Sequence, residues 1–163
     1  MTCKRGKRQR GLAMVEMAIV TPILAMMMMG VAELGRACYQ YNILVKATRD
    51  GARYLSTIAR QGTGLVDLTV GTCTDPVSGT DCVTATKNLV VYGTSATTGT
   101  TAILPGLAVG NVTAVVVNTD YVEVTATYAF NPIFGTIQTF GYGSGNVTTS
   151  GKTFTAKVRM WAI

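Results

Sequence analysis

Glu16 is the side chain whose position most demands a chemical reason. It is an acid four residues beyond Leu12, inside the run LAMVEMAIVTPILAMMMMGVAEL that ends at Leu34, and up to Ala32 only Thr21 and Pro22 interrupt that run further. A carboxylate in hydrocarbon costs a few kcal/mol, so an acid there reads as functional. Gly11, a small residue, stands immediately before the run. The thiols are the second reactive set. Cys73 and Cys82 flank Thr-Asp-Pro-Val-Ser-Gly-Thr-Asp, a turn-rich loop, and in an oxidising compartment they should pair. Closing so short a loop stabilises by roughly 2–3 kcal/mol in the chain-entropy model. Asp75 and Asp81 in that loop raise the question of calcium, but two loop carboxylates fit solvated surface better.

Other chemistry is missing. The chain has no histidine, the commonest general base and metal ligand. Two thiols without histidine do not make a zinc site. No nucleophile–base pair, phosphate loop or metal constellation is legible, so the chain is not read as an enzyme and no cofactor is expected. The sequons at Asn111 and Asn146 are short patterns in Thr-rich sequence and carry no weight.

The element that must position Glu16 is a membrane span. Some 20 apolar residues at about 1.5 Å each cross a hydrocarbon core of ~30 Å as a helix. Before it, Lys4, Arg5, Lys7, Arg8 and Arg10 form a head with no acidic residue, which should stay cytoplasmic and send the remainder across. The run is longer than the apolar core of a cleaved secretory signal and leads into helical sequence. Of 14 Lys and Arg, five lie in residues 1–11, which leaves 9 basic against 8 acidic beyond. The basicity therefore belongs to the head, and nucleic acid is not an expected partner. Pro22 removes a backbone donor, so a kink or local opening is expected near Ala18 to Pro22. Met26 to Met29 read as flexible apolar filling. Gly30 and Gly35, with Ala32 and Ala37, would allow close approach of a neighbouring helix or be tolerated without one.

The order Gly11-Leu-Ala-Met-Val-Glu16 with Pro22, then Gly30-Val-Ala-Glu-Leu-Gly-Arg36, Tyr39-Gln-Tyr-Asn42 and Lys46-Ala-Thr-Arg-Asp-Gly-Ala-Arg-Tyr54, resembles the TadE-like family. These are minor pilins or pseudopilins of tight-adherence (Tad, type IVc) pili, and the resemblance covers roughly the first 60 residues. Met17 departs from it, since pilins of this group often carry an aromatic residue there. The resemblance implies that a prepilin peptidase cuts between Gly11 and Leu12, leaving Glu16 as fifth residue of the mature subunit. It also implies assembly with other pilin subunits through an inner-membrane platform.

Beyond the span, apolar residues recur at Leu34, Ala37, Cys38, Tyr41, Leu44, Val45, Thr48, Ala52, Leu55 and Ile58, one face of a helix to about Ala59. Leu12 to Ala59 as one helix would be about 70 Å long. Glu33–Arg36, Lys46–Asp50 and Asp50–Arg53 have ion-pair spacing. From Gly62 the composition shifts to Thr, Val, Gly and Ser. The strand candidates are Leu65–Val70, Val83–Tyr92, Val112–Val117, Tyr121–Phe130 and Thr153–Trp161, with a hairpin turn at Asn118-Thr119-Asp120 and flexible loops at Thr94–Thr101 and Gly141–Gly151.

The expected architecture is α+β and type IV pilin-like: a basic leader (1–11), a long helix (12–60, with 12–34 in the bilayer) and an outer β-rich domain (61–163). The expected function is structural, a pilin-like subunit of an adhesive pilus that starts in the inner membrane with its N-terminus cytoplasmic and its C-terminal domain periplasmic. The alternative is an uncleaved signal-anchored envelope protein whose outer domain binds a partner; it leaves Glu16 unexplained.

Overall fold

The computed structural model describes residues 6–61, 73–96, 101–117, 120–133, 136–137, 147–148 and 152–162. They form helix α1 (Gly6–Gln61), helix α2 (Cys82–Tyr92), a 3-10 turn (Val109–Asn111), and strands β1 (Val112–Val117), β2 (Tyr121–Phe130), β3 (Thr136–Ile137), β4 (Val147–Thr148) and β5 (Lys152–Trp161). Two compact units divide the chain, residues 1–37 and 38–163.

In the first unit α1 remains helical through Pro22. Thr21 Oγ1 donates to the Met17 carbonyl at 2.6 Å, giving that carbonyl a side-chain partner one turn back. Glu33 and Arg36 pair at 3.8 Å, as their spacing predicts.

The second unit begins with the remainder of α1. Its buried positions are Gln40, Leu44, Ala47, Thr48, Gly51, Ala52, Leu55, Ser56 and Ala59, the three-and-four repeat of a helix with one covered stripe. That stripe overlaps the predicted face at Leu44, Thr48, Ala52 and Leu55, whereas Leu34 and Cys38 are exposed.

β1, β2 and β5 form an antiparallel sheet in the order β1-β2-β5. The register runs from Val117↔Tyr121 to Val112↔Ala126 on one side of β2 and from Tyr121↔Trp161 to Phe130↔Lys152 on the other. Val122, Val124, Ala126, Tyr128 and Phe130 are all buried, with Val112, Ala114 and Ala156 beside them. On the other face Glu123 is covered as well, held by Lys157 at 2.8 Å and by Arg159. Those contacts, Lys157 first and then Arg159, keep its carboxyl below the ordinary range against the opposing effect of burial.

One predicted strand is wrong. Val83–Tyr92 lies in α2, despite its β-branched content. Asp81 caps this helix, its side chain accepting from Thr84 N at 3.2 Å. Gly93 ends it in the left-handed conformation at φ 75°, its N–H returning to the Leu89 carbonyl at 2.9 Å. Of the loop predicted over Gly141–Gly151 only Val147–Thr148 is described, as β4 paired with β3, and residues 141–146 and 149–151 lie outside the described residues. The predicted strand Leu65–Val70, Asn118 and Thr119 of the hairpin turn, and residues 97–100 of the Thr94–Thr101 loop lie outside the described residues.

α1 and α2 meet at Gly51. A Cβ built there would overlap Val90 Cγ2 and sit 3.6 Å from Thr86 Cγ2. Val90 and Thr86 are fully buried, so neither can swing away. A glycine that looks costly in the middle of a helix is thus the contact that lets the second helix dock. Gly51→Ala should destabilise the full chain in detergent, since about 1–3 kcal/mol of overpacking outweighs about 1 kcal/mol of helix propensity gained. Thermal unfolding checks this, and a double-mutant cycle with Val90→Ala should recover part of the loss. Strict additivity would mean that the two residues do not press on each other.

Candidate functional site

The first unit carries the predicted processing and assembly residues. Gly11, Leu12 and Glu16 all lie on α1 and are exposed, Leu12 by 75%. Pro22 is exposed on the same helix, and the expected kink there remains an expectation of its chemistry. Met14, Val15, Met17, Ile19, Val20, Ile23, Leu24, Met26 to Met29 and Val31 are exposed too. One helix, Gly11–Ala59, is long and apolar enough to cross a membrane, and its apolar window is wholly unburied. That fits a single-pass membrane protein. Among the described residues nothing covers Glu16 or the apolar side chains around it.

The second candidate set lies in the Cys73–Cys82 loop. The two cysteines form the predicted disulfide, with Cα atoms 5.5 Å apart. Cys38 is a free, exposed thiol. The expectation of two solvated acids fails for Asp75, which is 1% exposed. The Tyr54 hydroxyl of α1 donates to its Oδ1, and the Ser78 N–H and hydroxyl donate to its Oδ2. Burial alone would raise the Asp75 carboxyl, but these donors, with the Val77 N–H, hold it below the ordinary range. The Tyr54 phenol is pushed up by burial and by that carboxylate. Asp81 is the α2 cap, so the two acids have separate structural roles. Among the described residues no group of three or more His, Cys, Asp or Glu is placed to hold a metal ion. The Tyr54–Asp75 contact was missed in the sequence because it joins residues 21 apart across residues with no periodic signal.

Residues 11–53 match the model of the TadE-like protein family. The matched stretch begins at Gly11, contains Glu16 and Pro22, and ends one residue before Tyr54. No curated protein and no solved structure matches the chain. The matched stretch runs along α1 as far as Arg53, and the disulfide loop, α2 and the sheet lie beyond it.

The latch between the end of the TadE-like segment and the disulfide loop should be pH-dependent. A carboxyl held below its unfolded value contributes stability that is present above that value and lost as pH falls through the folded one. Tyr54, raised in the fold, works at the other limit: its contribution is complete below the phenol's unfolded value and is lost as pH rises through the folded value. Asp75→Asn should cost about 1.5–3 kcal/mol near neutral pH, the range for hydrogen bonds to a charged group, and should flatten the acid limb of a stability–pH curve. Thermal melts from neutral pH into acid would show it.

Proposed function

We propose that this chain is a minor pilin or pseudopilin of a Tad-type pilus. The single observation that carries this reading is the uncovered apolar helix with Glu16 inside it, within the stretch that matches the TadE-like family. In this reading the chain enters the inner membrane with its basic head inside and its C-terminal domain in the periplasm. A prepilin peptidase hydrolyses the peptide bond between Gly11 and Leu12, which frees an α-amine on Leu12 that is charged or nearly so at neutral pH. The assembly platform then moves the helix from lipid into a pilus with other subunits, and the pilus serves adherence.

Glu16 gains a role from that transfer. Its carboxylate can neutralise the Leu12 amine of a neighbouring subunit while both leave lipid for an apolar filament interior. Removing one member of a buried pair costs about 3–5 kcal/mol, because the remaining charge is stranded. A subunit lacking the acid would still present the peptidase with Gly11 and Leu12, so processing and assembly separate cleanly.

The N-terminus of the protein from membranes and from sheared surface material tests the reading. A start at Leu12, abolished when Gly11 is replaced by a bulky residue, is the expected result. An intact N-terminal head with Gly11 replacement silent would instead establish the uncleaved signal anchor and move the function to the outer domain. Glu16→Ala is expected to be processed yet absent from pili; piliation at wild-type levels in that variant would dismiss the pairing.

A further inference from the structure

We infer that the outer edge of β5 receives an acidic β-strand from another protein, with Lys157 and Arg159 reading carboxylates at alternate positions of that strand. The inference uses only residues of the second unit and stands independently of the reading of the span. The Ala162 N–H donates to the Asp120 carbonyl at 2.9 Å, which continues the β2–β5 register one pair beyond Tyr121↔Trp161. In an antiparallel ladder, pairs that exchange both backbone bonds alternate with pairs that exchange none. The even-numbered residues from Phe154 to Ala162 thus bond across to β2. Thr153, Thr155, Lys157, Arg159 and Trp161 turn their N–H and C=O groups to the outer edge instead. Among the described residues no backbone group meets them there. The side chains of these same five residues lie on the sheet face opposite Val122 and Val124, and all five are exposed.

Charge decides what fits this edge. Glu123 stands opposite Arg159 on β2 and is 8% exposed. One of its carboxylate oxygens accepts from Lys157 Nζ at 2.8 Å and the other from Arg159 Nε. Lysine and arginine carry more donors than these contacts use, and among the described residues nothing takes the rest. Both side chains are more than half open, Lys157 by 52% and Arg159 by 56%. A buried carboxylate thus fixes two cations at alternate positions of an open edge. An antiparallel strand laid on that edge sets residues opposite Lys157 and Arg159 with Cα atoms about 5.5 Å apart and side chains on the same face. Carboxylates there meet charge-assisted donors, while the same two cations repel a basic strand and discourage a neutral one. Trp161 is 55% exposed and is braced edge-on by Tyr121, with centroids 4.7 Å apart. Its ring suits an apolar side chain two residues before the acid that faces Arg159. A second copy of this chain does not supply such a strand, since no two of its eight acidic residues stand two positions apart. Pairing of β5 with its own copy about Lys157 or Arg159 would also set like charges opposite each other.

The test is fluorescence anisotropy of a dye-labelled peptide, Leu-Thr-Glu-Val-Glu-Thr-Thr, with the full chain in an uncharged detergent. Binding is expected to weaken about tenfold or more when both glutamates become glutamine, when their backbone nitrogens are methylated, or in Lys157→Gln. Methylating the nitrogens of the residues between, whose N–H groups point away from β5, should leave binding unchanged. Near-ultraviolet circular dichroism of the Trp161–Tyr121 pair shows whether Lys157→Gln keeps the sheet, and the peptide variants decide the matter if it does not. Absence of binding by the alternating peptide would overturn the inference. Binding that survives methylation of the glutamates would overturn strand addition. Displacement of the peptide by a single-stranded oligonucleotide or an acidic polysaccharide of equal charge, at equal affinity, would overturn it too and leave a general anion surface.

Discussion

Everything in this chain answers to one constraint: a helix with apolar side chains all round has nothing of its own to bury them against. From Leu12 to Val31 the large apolar residues are exposed among the described residues. At about 25 cal/mol per Å² of apolar surface, such a helix is stable only where lipid or other helices replace water. The same condition sets the cost of Glu16. Its carboxylate is inexpensive in water and costly in hydrocarbon.

The second unit solves the opposite problem, holding the outer part of α1 to a small domain firmly enough for the two to act as one body. It does so with contacts of different kinds at successive heights. Tyr41 meets Phe154 near the start, Gly51 admits Val90 in the middle, and Tyr54 reaches Asp75 beyond it. The Cys73–Cys82 disulfide closes the loop that carries Asp75 and delivers α2 directly from Cys82. Loop, helix and carboxylate thus share a base. The buried acid is satisfied by donors on both its oxygens, which is what separates a tolerated buried carboxylate from a destabilising one.

How much of this was legible differed by element. The three sheet strands were readable because their side chains alternate between a more covered and a more open face, which writes a period of two into Tyr121–Phe130 and Lys152–Trp161. The outer part of α1 was readable for the analogous reason at a period near 3.6. Val83–Tyr92 was misread because Val, Thr and Tyr favour strands by local preference. The cues that would have corrected it were present: Asp81 as cap, Gly93 as terminator, and Cys82, Ala85, Thr86, Val90 and Val91 as a buried stripe at helical spacing. A strong local preference lost to capping and to packing against Gly51. Asp75 was misjudged because a loop acid looks the same in sequence whether it faces water or a tyrosine hydroxyl.

The sequence by itself determined an apolar helix long enough to span a membrane, its cationic head, the acid at Glu16, the disulfide pair and the three sheet strands. All of these are local or periodic properties: hydrophobicity along a run, charge beside it, spacing within it. Only the tertiary structure decided that Gly51 is a docking point, that Asp75 is buried beneath Tyr54, that α2 is a helix, and that Tyr41 stands level with the start of β5. These are contacts between residues 21 to 113 positions apart, and whether such pairs meet depends on how whole elements pack, which no local preference encodes.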